Sequence, residues 1–218
     1  MADRPLVVIG AGGVAREVAW IAEHCAAGPF EVGCFVDRDD SETCGSLLNG
    51  VPVIGIDEAE ARFRAALAVC AVGCPTLRQR LVGEAEARGF GFATLVHRDY
   101  RLAPSVEIGE GSIVYPGALM TVNVRIGRHV QVNPGCSVMH DAVIDDFATL
   151  TPGARIAGCV RVGRGAFVGT GAVVVNGTPE RYLTIGAGAT VGAGACVVAD
   201  VAPGKTVAGV PAKPTRKD

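Results

Sequence analysis

The sequence predicts two folds in series: an α/β parallel-sheet domain of the nucleotide-binding kind, then a parallel β-helix. Two observations carry this prediction. Every sixth residue from Ile108 to Val174 is aliphatic, running through Val114, Met120, Ile126 and so on for twelve positions without a miss. A helix repeats at 3.6 residues and a strand at 2, so a strict period of six requires short extended segments joined by identical corners. Ahead of this ladder, the apolar run Pro5–Gly10 ends in Gly10-Ala11-Gly12-Gly13. That pattern fits a buried parallel strand, a tight turn and the start of a helix.

The N-terminal elements follow in order. After the glycine turn, a helix is expected from Val14 to about Ala26, with Val14, Val18, Ile21, Ala22 and Cys25 on its apolar face. The next strand, Glu31 to Asp37, leaves an acid at its C-terminal end. Backbone N–H groups at a helix start cradle phosphates while such an acid reaches a ribose or base, so Gly10, Gly12, Gly13 and Asp37 form the expected sugar-nucleotide site. Val51–Ile54 reads as a short strand, and Asp57 with Glu60 as the capping box of a second helix. Leu67–Gly73 is another strand, Thr76 and Gln79 repeat the capping pattern, Gly89 ends that helix, and Phe92–Val96 closes the unit. Residues 1–97 thus form one domain, too short for the two βαβαβ halves of a full dinucleotide-binding fold, which disfavours a nicotinamide oxidoreductase.

The hexads begin beyond His97, and residues 98–213 form the second domain. Three hexads per triangular turn make four coils, so residues eighteen apart stack at the strand spacing of about 4.8 Å. Two residues before each ladder position stands a modest side chain such as Ala118 or Ala142. Glycine often follows the ladder residue, as at Gly109, Gly127, Gly163 and Gly169. Both are expected to relieve the corners. The phase breaks at Asn176–Tyr182 and resumes one residue early at Ile185, Val191 and Val197, giving an irregular corner or protruding loop and one more coil. Residues 214–218 read as a tail without a pattern to fold.

Composition excludes several functions. Net charge is −2 with scattered basic residues, which leaves no footprint for nucleic acid or an anionic membrane. No apolar segment approaches the roughly 20 residues needed to cross a bilayer. The eight cysteines form no CxxC pair or disulfide framework, and no leader-like N-terminus is present, so a reduced, cytoplasmic protein is expected.

The unbroken hexads, with Asp200-Val-Ala-Pro-Gly204 and Gly209-Val-Pro-Ala-Lys213, resemble the hexapeptide-repeat acyltransferases. The preceding Gly10-Ala-Gly-Gly13 unit is similar to one branch of them, the bacterial sugar acetyltransferases of the sialic acid and bacillosamine type. The resemblance covers nearly the whole chain. It implies a left-handed β-helix, a homotrimer with active sites between subunits, acetyl-coenzyme A as co-substrate, a nucleotide-linked amino sugar as acceptor and no metal.

In that branch the base is a histidine followed by an acid, a place held here by His140-Asp141. The residues agree: His140 falls two places after the inward Val138, at a corner. An imidazole, with a reference pKa of about 6.5, can take a proton from an amine at neutral pH, and an adjacent carboxylate fixes its tautomer. Eighteen residues on, Gly158 stacks one coil away, and its N–H suits the thioester oxygen as charge develops there. Two positions depart from the family pattern: Val14 and Thr149 stand where many relatives carry histidine. Thr149, with Gly169, Gly171, Gly186, Gly192 and Lys213, is assigned to coenzyme A through the resemblance. Cys136 and Cys159 fall at small-residue positions and are expected to pack rather than to relay acyl groups. Three other readings compete. One is O-acetylation of a free sugar, and another is a non-catalytic nucleotide-binding trimer. A zinc hydratase would need a third histidine near His129 and His140.

Overall fold

The computed structural model describes residues 4–26, 30–98 and 102–215. The chain divides into two compact units, Met1–Asp99 and Tyr100–Asp218.

The first unit is built on β1 (Arg4–Ile9), a parallel strand flanked on both sides. β2 (Phe30–Val36) pairs with one edge of β1 and β5 (Leu67–Cys70) with the other. β4 (Val51–Ile54) extends the sheet beyond β2, and β6 (Gly91–Phe92) extends it beyond β5. A two-residue strand not foreseen in the sequence, β3 (Leu47–Leu48), turns back antiparallel on β4. Leu6, Val7 and Val8 of β1 are fully buried, as a strand covered on both faces must be. The pairing of β1 with β2 slips by one residue at Gly33. A Cβ there would lie 2.5 Å from the Phe63 ring, so the bulge is also a close approach that requires glycine.

Four expectations are corrected here. The first helix is α1 (Gly13–Trp20), continued by a wider π-helical turn over Ile21–Cys25 closed by Ala26 N–H on Ile21 O at 2.8 Å. The wider turn keeps Ile21, Ala22 and Cys25 buried together, while Val14 is only half-buried and off the core face. Neither capping box forms. α2 (Ile56–Arg62) is capped by Gly55, so Asp57 lies inside the first turn, where its carboxylate accepts from Arg88 at 2.8 Å. α3 (Pro75–Glu86) starts at a proline whose fixed φ suits the first helical position, one residue before Thr76. The strand expected over Phe92–Val96 is also broken, into β6 and a separate pair, Leu95–Val96.

The second unit is the β-helix. Its two- and three-residue strands stack in three parallel faces, and the register repeats every eighteen residues: Ile108 on Ile126, Ile126 on Ile144, Val132 on Leu150, Val138 on Ile156. Ladder residues from Val132 to Val174 are all fully buried, whereas Ile108, in the first coil, is half-buried. The small residues two places earlier do not sit at corners: Ala142, Ala148 and Ala154 are also 0% exposed. A strand puts i and i−2 on one face, so both fill the prism, large against small. Replacing Leu150 by Ala should leave a void that this stack cannot close. The expected cost is about 2–5 kcal/mol in a denaturant melt, with no change in the β-sheet circular dichroism of the folded state.

The corners are also built differently from the expectation. Every sixth backbone from Gly111 to Gly171 has positive φ, two places after the glycines singled out in the sequence. The earlier glycines have ordinary φ and are needed because coils touch there: a Cβ on Gly169 would lie 2.5 Å from Ala193 N. Asn123, His129, Asp141, Phe147 and Cys159 occupy left-handed corners as non-glycine residues. Such backbone costs roughly 1–2 kcal/mol per residue, and stacking offsets part of it. His129 and Phe147 lie face to face with centroids 5.0 Å apart, and Arg164 covers Phe147.

The interruption at Asn176–Tyr182 is an irregular segment, and the register across it is twenty-three residues, Val168 on Val191. The resumed coil is followed by Thr206–Ala208, against which Lys213–Pro214 runs antiparallel. Pro214 therefore belongs to the fold rather than to a tail; residues 216–218 lie outside the described residues. No helix among the described residues is long and apolar enough to cross a membrane.

Candidate functional site

The strand order of the first unit reverses at β1: the chain builds outward to β2 and β4 on one side, then crosses to β5 and β6 on the other. The loops after β1 and β5 therefore part at their C-terminal ends, which is where open α/β sheets form a crevice. A cavity of about 830 Å³ opens there, walled by Gly10, Gly12, Gly13, Val36, Asp37 and Gly73 among others. Gly10 has φ +112, and a Cβ on it would press within 3.2 Å of Ala71 O and Val72, so no other residue fits this turn without strain. Gly12 caps α1 without any side-chain hydrogen bond, and a Cβ there would meet nothing within 4 Å. The first N–H groups of α1 therefore have no side-chain cap, a favourable environment for an anion.

All four sequence-assigned residues of this site line one cavity, and Val14 lines it too. Asp37 is more constrained than a free ligand. Its carboxylate accepts from the Ser41 hydroxyl at 2.7 Å, the Thr43 hydroxyl at 2.5 Å and the Arg38 N–H at 2.9 Å. Partial burial pushes the group up, but the hydrogen bonds from Thr43, Ser41 and Arg38 outweigh it and hold the acid below its ordinary value. A carboxylate with a lowered folded pKa contributes stability that is fully present above its unfolded value of about 3.9 and is lost as pH falls through the folded value. Asp37→Asn should thus lower Tm at neutral pH, and the gap from the parent protein should narrow in thermal melts below about pH 3.9. Sequence reading missed Arg38, Asp39, Asp40 and, on α3, Arg80, all in the cavity wall. The charged run directly after Asp37 was the available signal.

The second cluster is at one edge of the β-helix. His140 is exposed, and its Nδ1 lies 2.9 Å from Asp141 Oδ2. Asp141 sits at a left-handed corner with φ +61, which turns its carboxylate back toward the preceding ring. Its other oxygen accepts from Asn123 Nδ2 at 3.0 Å. The His140 contact, then Asn123, keep the Asp141 carboxyl below its ordinary range, so at neutral pH it is an acceptor only. It therefore takes a proton-bearing Nδ1, leaving the Nε2 lone pair as the base. Asn123, one coil below Asp141 at the same corner, was missed; a step of eighteen back from Asp141 would have found it.

Gly158 lies one coil above His140, as the eighteen-residue stack requires. The imidazole occupies the space a side chain would take: a Cβ on Gly158 would lie 2.5 Å from Nε2. Its carbonyl accepts from Gly177 N–H at 3.0 Å, while its own N–H meets no acceptor among the described residues. Cys159 follows at another left-handed corner, buried, with its sulfur in the same cluster. Burial, then the charges of Asp141 and Glu180, push its thiol up, which makes it a poor covalent relay. Cys136 is likewise buried, with its thiol pushed up to about 11 by desolvation.

The residues assigned to coenzyme A do not share this edge. Gly169, Gly171 and Gly192 follow the strands Phe167–Val168 and Thr190–Val191, at a different corner of the triangle from His140. Gly186 follows Leu183–Ile185 and so falls at the third corner. Lys213 is exposed on the terminal strand. Thr149 is 1% exposed, so it does not stand on an open surface with the others.

Comparison with known proteins decides the family. Residues 5–85 match the model of the PglD N-terminal domain. The chain is 33% identical over 216 residues to GDP-perosamine N-acetyltransferase of Escherichia coli O157:H7, covering 96% of each protein. The chain belongs to the hexapeptide-repeat sugar acetyltransferases. Within that family it superimposes on the acetyltransferase domain of PglB from Neisseria gonorrhoeae FA1090 with TM-score 0.85 and 37% identity, over 98% of this chain and 100% of that one. PerB of Caulobacter crescentus, solved in complex with CoA and GDP-perosamine, gives TM-score 0.85 at 36% identity over 97% of both chains. The family's two parts are thus both present and in the same order.

Proposed function

We propose that the protein transfers an acetyl group from acetyl-coenzyme A to the amino group of a nucleotide-linked amino sugar. The observation that carries this reading is the His140–Asp141 pair packed against the bare backbone of Gly158, in a chain similar along its length to a GDP-perosamine N-acetyltransferase. Relatives solved with acetyl-coenzyme A, or with CoA and GDP-perosamine, support both halves of the assignment.

The cavity at the start of α1 holds the nucleotide, with the uncapped N–H groups facing its phosphates and the charged loop after β2 facing the nucleoside. Nε2 of His140 takes the proton of the attacking amine while the nitrogen bonds to the thioester carbon. The Gly158 N–H donates to the oxygen on which negative charge develops. As the tetrahedral centre collapses, the carbon–sulfur bond breaks and the imidazolium returns its proton to the departing thiolate. Asp141 holds the ring's tautomer and stabilises its transient charge, and Asn123 holds Asp141.

The active form is a homotrimer. The coenzyme A residues lie at other corners of the triangle than His140, so one chain's base is completed by another chain's glycine corner. Exposed Leu119, Val173 and Val198 supply apolar surface for such packing. All eight cysteines are free thiols, which suits a reducing, cytoplasmic setting.

Incubating the protein with acetyl-coenzyme A and a panel of nucleotide-linked amino sugars, while following thiol release, tests the assignment. Release dependent on an amino sugar nucleotide is expected. Activity confined to the hydroxyls of free sugars would replace it with O-acetylation, and no acceptor-dependent release at all would favour a non-catalytic nucleotide-binding trimer.

A further inference from the structure

We infer that the corner formed by His140, Asp141 and Cys159 is a binding site for a zinc-like transition-metal ion, and that its occupation switches the enzyme off. One imidazole nitrogen, one carboxylate oxygen and one sulfur lie within 4.8 Å of one another. Acetyl transfer uses only two of these residues; the sulfur has no part in it.

The backbone brings the three donors together. Asp141 and Cys159 hold the same left-handed position in successive coils, at φ +61 and +54, so their side chains leave the corner in the same sense. His140 precedes the first of them, and Gly158, which precedes the second, has no side chain to come between ring and sulfur. Cys159 N–H donates to His140 O at 3.1 Å, locking the two coils at this point. Asn123 fixes the Asp141 carboxylate from below.

The donor set selects the ion. Nitrogen, sulfur and carboxylate oxygen together suit Zn²⁺ and neighbouring late transition metals, whereas Mg²⁺ and Ca²⁺ seek all-oxygen sites. Zn–S of about 2.3 Å and Zn–N of about 2.0–2.1 Å place the ligand atoms of a tetrahedral site roughly 3.5 Å apart. The His140–Asp141 pair, now 2.9 Å apart, must therefore open slightly and any longer separation close, which exposed His140 can do by rotating. The site is open on the solvent side, leaving a fourth position to water. Such a site binds reversibly rather than structurally. Binding converts the Cys159 thiol to thiolate, its proton passing to solvent, and engages His140, so the base is lost while the metal is held. The inhibition, though not the metal binding itself, rests on the catalytic reading of His140.

Titration of the intact protein with Co²⁺ tests the site without reference to catalysis. One equivalent per chain should raise a near-ultraviolet sulfur-to-cobalt charge-transfer band that is absent in Cys159→Ser. In the acetyl-transfer assay, ~10–100 µM Zn²⁺ should reduce turnover at least tenfold, with full recovery on chelation and no effect of Mg²⁺. Cys159→Ser, with a side chain of nearly the same size, should keep the parent's turnover and escape zinc. No charge-transfer band in the parent protein, a band that persists in Cys159→Ser, or equal zinc inhibition of both proteins would overturn the inference. Should no acceptor be found at all, the cobalt spectrum still decides the site.

Discussion

His140→Ala is expected to lower turnover by ~10²–10⁴-fold, the usual range for loss of a positioned general base. The side chain is exposed and lies against the Gly158 backbone and Asp141 rather than in the core, so the variant should keep its Tm and its β-sheet circular dichroism. On the proposed assignment, binding of the nucleotide sugar should be preserved as well, because the cavity proposed for the nucleotide is lined by residues of the α/β unit. The checks are steady-state kinetics with acetyl-coenzyme A and calorimetric binding of the acceptor. An unchanged turnover would remove His140 from the role. A loss of activity accompanied by a lower Tm would point instead to a structural part for the residue.

Gly158→Ala should be nearly as damaging, for a separable reason. The backbone of Gly158 does not adopt a left-handed conformation, so alanine adds no strain of its own. It also retains the N–H that would bind the thioester oxygen. What alanine changes is the space beside the base: its Cβ would stand 2.5 Å from Nε2, and the ring must swing away. Misplacing a reacting group by about an ångström costs on the order of 10²-fold in rate. The expected result is a fall of that size in kcat with little change in the acceptor KM. Full activity in Gly158→Ala would mean that the ring works from another rotamer, and that Gly158 is glycine only for the corner.

These two variants also show which parts of the site could be read from the sequence. His140 and Gly158 are eighteen residues apart, and the hexad ladder converts that interval into one coil, so their stacking was visible without coordinates. Asn123 lies at the same interval below Asp141 and was equally within reach. It was passed over because no motif draws attention to it. The thiol of Cys159 was read as packing at a small-residue position, but that position is held by Val160; Cys159 stands one place earlier, at a left-handed corner, and although buried it is turned into the cluster beside His140. In the first unit, the glycine turn and Asp37 were found, but the commitment of Asp37 to Ser41 and Thr43 depends on how the following loop folds back.

The sequence by itself determined the two-part architecture, the coil register and the position of its interruption, because each follows from a periodicity that only one chain path satisfies. It also determined that an imidazole and a carboxylate stand outside the core. Tertiary structure decided how corners are made. Left-handed residues come two places later than the glycines that mark close coil contact, and steric fit between coils, invisible in a single hexad, separates the two kinds. Tertiary structure also decided how the helices begin: Gly55 and Cys74 are the caps, and Asp57 instead answers Arg88, thirty-one residues away. Local propensity cannot anticipate a partner supplied by a distant segment, and the same reason hid the cavity wall contributed by α3.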